Sequence, residues 1–227
     1  MKRILVFLFV LLFSCSAFAE SALTGGWTAS DVTPLPMPAE AEEALNNAQT
    51  GLDAKYEPVA LLATQVVADT NYCFLCKATA GTLNADKDED ELWQLVYVYR
   101  DLQGKASIID TDGIDLEIDG PDYDDDDDDD DAPLAGGWQV YVNESVSISE
   151  DAAAAFDKAL DSLGDALYMP VAELGSQVVA GRNYCLLCAV TPYTLDKPTT
   201  YALVYVYVNP QGAATVADID DVEIEID

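Results

Sequence analysis

The feature that most constrains this chain is a twelve-residue segment that occurs twice. Gln65–Cys76 reads QVVADTNYCFLC, and Gln177–Cys188 reads QVVAGRNYCLLC. Two copies this similar indicate an internal duplication, so the chain is one module written twice. In each copy a β-branched run reaches a short polar break and resumes as Asn-Tyr-Cys. This pattern predicts two strands joined by a tight hairpin turn.

Other elements recur around the repeated segment in the same order. A Gly-Gly-Trp sequence opens each copy, at Gly25–Trp27 and Gly136–Trp138. A helical stripe follows, with Ser149 as a candidate N-cap in the second copy. Its apolar residues are Ala41, Ala44, Leu45, Ala48 and Leu52 in the first copy, and Ala152, Ala155, Phe156, Ala159, Leu160 and Leu163 in the second. Their spacing predicts one helix per copy.

Further strands are predicted after the hairpin in both copies. They cover 95–99 and 203–208, then 105–109 and 213–217, and tight turns at 101–104 and 209–212 separate them. The alternating stretches 114–118 and 222–226 are typical of edge strands or extensions. One helix followed by four or more antiparallel strands predicts the α+β class, with each sheet folded against its helix.

Gln-Val-Val-Ala-Gly-x-Asn-Tyr, after Gly-Gly and one helix, resembles the first binding hairpin of the cystatins. These are reversible inhibitors of papain-like cysteine proteases. The resemblance implies two cystatin-like domains, each an antiparallel β-sheet wrapped around one α-helix, that wedge into a protease cleft without covalent chemistry. The implied protease-binding residues are Gly136, Gly137, Gln177, Val178, Val179, Ala180, Gly181, Asn209 and Pro210, with Gly25, Gly26, Gln65, Val66, Val67 and Ala68 in the first copy.

The first copy departs from the family pattern at the hairpin. Asp69 stands where the pattern has glycine, which places a charge at the wedge tip and disfavours a positive φ. The second turn keeps Pro210 but lacks the tryptophan of many secreted cystatins, and their disulfides have no counterpart in position. We therefore expect inhibition mainly through the second copy.

Charge and histidine content exclude several functions. The 10 Lys and Arg residues against 42 Asp and Glu give a net charge of −32, which repels nucleic acid and anionic membranes and favours cationic partners. The chain has no histidine, so Ser-His-Asp and Cys-His catalysis and imidazole metal sites are absent. We expect no enzyme activity and no cofactor, and a monomer whose partner is a papain-like cysteine protease.

The two ends of the first module carry export and linker signals. Residues 1–19 have the charged start, apolar run and Ala17-Phe18-Ala19 site of a secretory signal peptide, which predicts a secreted or periplasmic protein without a membrane span. A lipid anchor on Cys15 is the alternative. The predicted domains are 20–118 and 136–227, joined by an acidic linker, 119–135. Its run Asp124–Asp131 predicts an extended tether, with weak calcium binding as the alternative.

Each copy contains a Cys-x-x-Cys pair in the strand after the hairpin. Because side chains three positions apart on a strand face opposite sides, Cys73 and Cys76 are not expected to meet. Lys77 shares a face with Cys73, so we expect that face to be the wetter one. The hypothesis is that Cys76 and Cys188 are core residues, while Cys73 and Cys185 lie on the outer face. Disulfides of the outer pair, or a metal site, are the alternatives.

Three functional classes remain open from the sequence. The leading prediction is a secreted tandem inhibitor of papain-like cysteine endopeptidases. The second is a non-inhibitory extracytoplasmic binding or structural module with the same fold, favoured by Asp69 and the extreme charge. The third is an extracytoplasmic thiol or metal protein that uses the Cys-x-x-Cys pairs.

Overall fold

The computed structural model describes residues 26–29, 37–52, 54–78, 93–116, 138–140, 147–160, 163–164, 166–194 and 197–226. The signal peptide, the acidic linker, Gly25, Gly136 and Gly137 lie outside these residues. The predictions that fall on them therefore stay predictions, as do the domain boundaries.

Each copy builds one five-stranded antiparallel sheet and one helix from the described residues. The first contains β1 (Trp27–Ala29), α1 (Ala39–Ala48), β2 (Tyr56–Val66), β3 (Thr70–Ala78), β4 (Trp93–Arg100) and β5 (Ala106–Gly113). The second contains β6 (Trp138–Val140), α2 (Glu150–Ala159), β7 (Ala166–Val179), β8 (Gly181–Pro192), β9 (Thr200–Val208) and β10 (Ala214–Val222). Both sheets follow sequence order, β1 to β5 and β6 to β10.

The helices form within the predicted apolar stripes but end earlier, since Leu52 lies beyond α1 and Leu160 and Leu163 lie beyond α2. Ser149 is the N-cap of α2, and its Oγ accepts a hydrogen bond of 3.1 Å from the backbone N–H of Ala152. The α1 helix begins after Pro38, which provides no side-chain cap. Each helix is ten residues long and buries its alanine-rich stripe on one face of its own sheet.

The opposite faces of the two sheets are buried against each other. One continuous apolar core includes Leu62, Leu75 and Trp93 from the first copy together with Leu174 and Leu187 from the second. A sheet packed on a sheet buries the alternate side chains of both inner faces. The structure is therefore four-layered, with a helix outside each sheet and the two sheets between them.

Two hydrogen bonds cross this shared core at corresponding places. The indole Nε1–H of Trp93 donates to the carbonyl of Leu174 at 2.8 Å, and the hydroxyl of Tyr201 donates to the carbonyl of Leu62 at 2.5 Å. Leu62 and Leu174 are both bulge residues, because strand register skips them in β2 and β7. Each bulge therefore has one carbonyl bonded by an aromatic side chain of the other copy.

The predicted fold class is wrong. The described chain is mostly antiparallel β-sheet with two short helices, and it is not a pair of domains whose sheets each wrap around a helix. The physical reason is that both faces of each sheet are covered, one by the helix and one by the other sheet. The two halves therefore share one apolar core between their sheets.

The prediction of a wetter outer face is wrong as well. Cys73 and Cys185 are fully buried between the sheets, and Lys77 is buried with its Nζ 5.1 Å from the centre of the Trp93 ring. The prediction that the two cysteines of a pair face opposite sides is confirmed, because Cys73 lies in the shared core and Cys76 lies beneath α1. All four described cysteines are free thiols.

The alternating stretches after the last strands of each copy also enter the shared core. Ile114 and Leu116 are buried there, and Val222, Ile224 and Ile226 pack against it in part. Of the predicted edge strands, only Val222 belongs to a strand among the described residues. These stretches instead add apolar side chains to the shared core.

Candidate functional site

The second hairpin projects from the end of β7 and β8 with an open apolar tip. Val178 is 48 % exposed, although it pairs in register with Arg182. The base of the tip is locked by a side-chain bond, because Asn183 Nδ2 donates to Gln177 Oε1 at 2.8 Å. Gln177 and Asn183 are thus partners across the hairpin, which fixes its twist and register.

A tyrosine on the neighbouring strand holds the tip itself. The hydroxyl of Tyr207 donates to the carbonyl of Ala180 at 2.7 Å. Gly181 has φ +137°, and a Cβ on it would lie 2.3 Å from the carbonyl oxygen of Val208 and 2.8 Å from the Tyr207 ring. Only glycine permits this approach, so Gly181 lets β9 support the tip from the side.

The turn after β9 lies beside the hairpin tip. Val208 pairs with Arg182, and Asn209 begins the turn immediately after it. The side chain of Asn209 accepts bonds of 3.0 Å from the backbone N–H groups of Gln211 and Ala213, which stiffens the turn. Lys158 of α2 adds a bond of 3.2 Å from its Nζ to the carbonyl of Gly212. The tip and this turn together are called the second hairpin edge, 177–182 with 209–212.

The first hairpin repeats this arrangement with one difference. Asn71 Nδ2 donates to Gln65 Oε1 at 2.6 Å, and Val66 is 51 % exposed at the tip. Tyr99 occupies the place of Tyr207, but its hydroxyl donates to a carboxylate oxygen of Asp69. This hydrogen bond raises the pKa of Tyr99. The first hairpin edge is 65–70 with the turn 101–104.

The structure brings together most of the predicted site residues. Gln177, Val178, Val179, Ala180, Gly181, Asn209 and Pro210 lie on the second hairpin edge, and Gln65, Val66, Val67 and Ala68 lie on the first. Gly26 precedes β1, whose Trp27 pairs with Gln65, so it lies near the first tip. Gly25, Gly136 and Gly137 are outside the described residues, and β6 begins at Trp138, which pairs with Gln177.

Two interactions that hold the hairpin tips were not predicted from the sequence. Its glutamine and asparagine bind each other instead of projecting outward, and the tyrosines that hold the tips lie far along the chain at Tyr99 and Tyr207. A signal for the tyrosines existed in the repeat of Leu-Val-Tyr-Val-Tyr at 95–99 and 203–207.

The thiols do not form a reactive site in this structure. Burial raises the pKa of Cys73, Cys76, Cys185 and Cys188 well above the ordinary thiol value. A neutral, buried thiol is a poor nucleophile and a poor metal ligand. Within the described ranges, no three cysteine or acidic side chains converge in a way that would hold a metal ion.

The helices of the described chain do not have the dimensions of membrane spans. None of them combines the length and apolar character needed to cross a bilayer. Comparison of the chain with protein-family models and with curated proteins gives no match.

Proposed function

We propose that this chain is an extracytoplasmic, reversible inhibitor of papain-like cysteine endopeptidases that acts mainly through the second hairpin edge. The observation that carries the proposal is the apolar tip at Val178, which two side-chain hydrogen bonds hold in place and which is left open to solvent. An exposed apolar group on a stiff hairpin is suited to fill a cleft in a partner. The export signal at residues 1–19 supports an extracytoplasmic place of action.

The mechanism is occupation of the cleft without chemistry. The two strands of the hairpin are paired up to Val179 and Gly181, so the chain turns back at the tip and does not run through the cleft as a single extended segment. Because the Gln177–Asn183 and Tyr207–Ala180 bonds form within the free protein, little conformational entropy remains to be lost on binding. The adjacent turn at 209–212 would widen the contact along the cleft.

The acidic surface adds a preference among proteases. At a net charge of −32 the chain attracts partners with basic surfaces and speeds their encounter at low salt. We therefore expect the association rate with a cationic protease to fall steeply as ionic strength rises, while the dissociation rate changes less.

A second candidate function is supported by the first hairpin. Asp69 places a carboxylate at its tip, and desolvating a carboxylate inside an apolar cleft is costly. If the tips do not enter a protease cleft, the chain is a binding or structural module of the extracytoplasmic space that does not inhibit proteases. The same experiment separates the two functions.

The test is inhibition of papain by the full chain and by Val178→Asp. A carboxylate in the cleft should weaken inhibition by about 100-fold, because an unpaired buried charge costs several kcal/mol. Leu167→Asp is the matched control, since Leu167 is 49 % exposed on the same strand but at the end remote from the tip. Val178 suits this test better than Gly181. An aspartate at Gly181 would add a charge to the tip, but its Cβ would also push against β9.

Three outcomes are informative. Loss of inhibition in Val178→Asp but not in Leu167→Asp supports the hairpin mechanism. Equal inhibition by both variants removes the second hairpin edge from the contact. A full chain that binds no papain at all leaves the non-inhibitory module as the better description.

A further inference from the structure

We propose that one chain holds two protease molecules at the same time, one on each hairpin edge. This inference rests on the proposed function and adds the number and arrangement of its binding sites. It requires that both tips are open, that they point in different directions, and that the first edge can bind in spite of Asp69.

Both tips lie outside the shared core. Val66 and Val178 occupy corresponding positions in the duplicated hairpins and are each about half exposed. Neither belongs to the apolar cluster between the sheets or to the clusters beneath the helices. The packing of the two halves therefore leaves each tip available to a separate partner.

The hydrogen bonds across the core fix the position of each tip along the strands relative to the other half. The depth of a residue is its distance along the strand from the tip of its own hairpin. Trp93 is seven residues along β4 from Arg100, which pairs with Thr70 beside the first tip. At about 3.3 Å per residue, Trp93 lies roughly 23 Å deep in the first half. Its partner Leu174 is four residues from Val178 at the second tip, so Leu174 lies roughly 13 Å deep in the second half. If both tips pointed the same way, the second tip would lie about 10 Å deeper than the first.

The bond from Tyr201 to the Leu62 carbonyl requires the opposite displacement of the two tips. Tyr201 is seven residues from Val208 beside the second tip, and its partner Leu62 is four residues from Val66. With tips pointing the same way, the first tip would then lie about 10 Å deeper than the second. Both bonds are present, so the tips cannot share a direction. Residues near the first tip also line one cavity of about 450 Å³ with residues remote from the second tip, as Trp27 and Thr200 show.

The carboxylate of Asp69 is partly satisfied within the chain. The Tyr99 hydroxyl donates to it, so this oxygen has a partner before any protease arrives. A paired carboxylate costs less to bury than an unpaired one. No described residue other than glycine has a positive φ, so Asp69 is not forced into a strained backbone. The first edge is therefore a weaker site than the second, but a usable one.

The experiment measures the mass of the complex that the full chain forms with excess papain. The papain carries a methylthio group on its active-site sulfur, so it does not digest the chain. Size-exclusion chromatography with light scattering should show one chain with two papain molecules. Val66→Asp and Val178→Asp should each reduce the complex to one papain, and the double variant should bind none.

Matched controls separate the edges from a general effect of charge. Leu52→Asp and Leu167→Asp place a carboxylate on surface positions that are 47 % and 49 % exposed and lie at the strand ends remote from the tips, and both should keep two papain molecules. Unchanged urea midpoints for all four single variants confirm that they fold.

The outcomes distinguish the two proposals. A single papain per chain at saturation refutes simultaneous binding and leaves the inhibitory function standing through whichever valine matters. Two papain molecules that persist in the double variant refute the edges as the sites. No complex at any papain concentration refutes the proposed function itself.

Discussion

Replacing Tyr201 by phenylalanine tests whether the two sheets form one cooperative unit. Tyr201 is buried, and its hydroxyl bonds the Leu62 carbonyl of the other copy at 2.5 Å. Tyr201→Phe keeps the ring and deletes only the donor. Leu62 is buried and is the residue that strand register skips, so its carbonyl depends on this bond.

The expected cost follows from the carbonyl left without its partner. Burying an unsatisfied polar group costs about 1–3 kcal/mol, so Tyr201→Phe should lower the free energy of unfolding by that amount. Tyr193→Phe is the control, because Tyr193 is 68 % exposed and water replaces any bond it loses. Its effect should stay within about 0.5 kcal/mol.

The assay is urea unfolding of the full chain, followed by tryptophan fluorescence and by circular dichroism. A shared core predicts one transition that both probes report at the same midpoint. Two separated transitions, with Tyr201→Phe shifting only one of them, would refute the shared core. A Tyr201→Phe midpoint equal to that of Tyr193→Phe would show that the bond across the sheets contributes nothing.

Three further outcomes follow from the same structure. Cleavage at a protease site inserted within 124–131 should leave two fragments that co-elute, because the shared core still holds them. Gly181→Ala should destabilise the chain by about 1–3 kcal/mol through overpacking at the Val208 carbonyl oxygen, whereas Gly164→Ala, with open space around it, should not. Stability should fall between about pH 8 and 9.5 by up to roughly 1.4 kcal/mol per pH unit for each buried thiol.

The sign of the pH effect follows from burial of the thiols. Unfolded thiols lose protons near pH 8.5, while burial keeps the pKa values of the folded thiols higher. Because the unfolded state then binds fewer protons, it becomes more stable relative to the folded state as pH rises. Unfolding in reductant at pH 7 and 9.5 measures this, and Cys185→Ala should flatten the slope. A slope unchanged by that variant would contradict the assignment to thiols.

Fragments that separate after cleavage would contradict the expectation that the shared core holds the halves together. Equal midpoints for Gly164→Ala and Gly181→Ala would contradict the expected overpacking at Gly181.

Local structure could be predicted from the sequence, because the forces that specify it act between near neighbours. Alanine spacing and the Ser149 cap specify a helix, and the repeated segment specifies a hairpin. Alternation along β3 separates Cys73 from Cys76, and the structure confirms it. The tip residues Val66 and Val178 are likewise placed by chain-local turns.

The partner that covers the second face of each sheet could not be predicted in this way. Alternation defines two faces but does not say which partner buries them, because that partner is remote in sequence. Lys77 suggested a wet face, yet the residue is buried and its Nζ lies 5.1 Å from the centre of the Trp93 ring. The run Tyr72–Cys76 is apolar on both faces, a pattern typical of a strand buried on both sides. The bonds from Trp93 and Tyr201 to carbonyls of the opposite copy exist only once the two sheets have met.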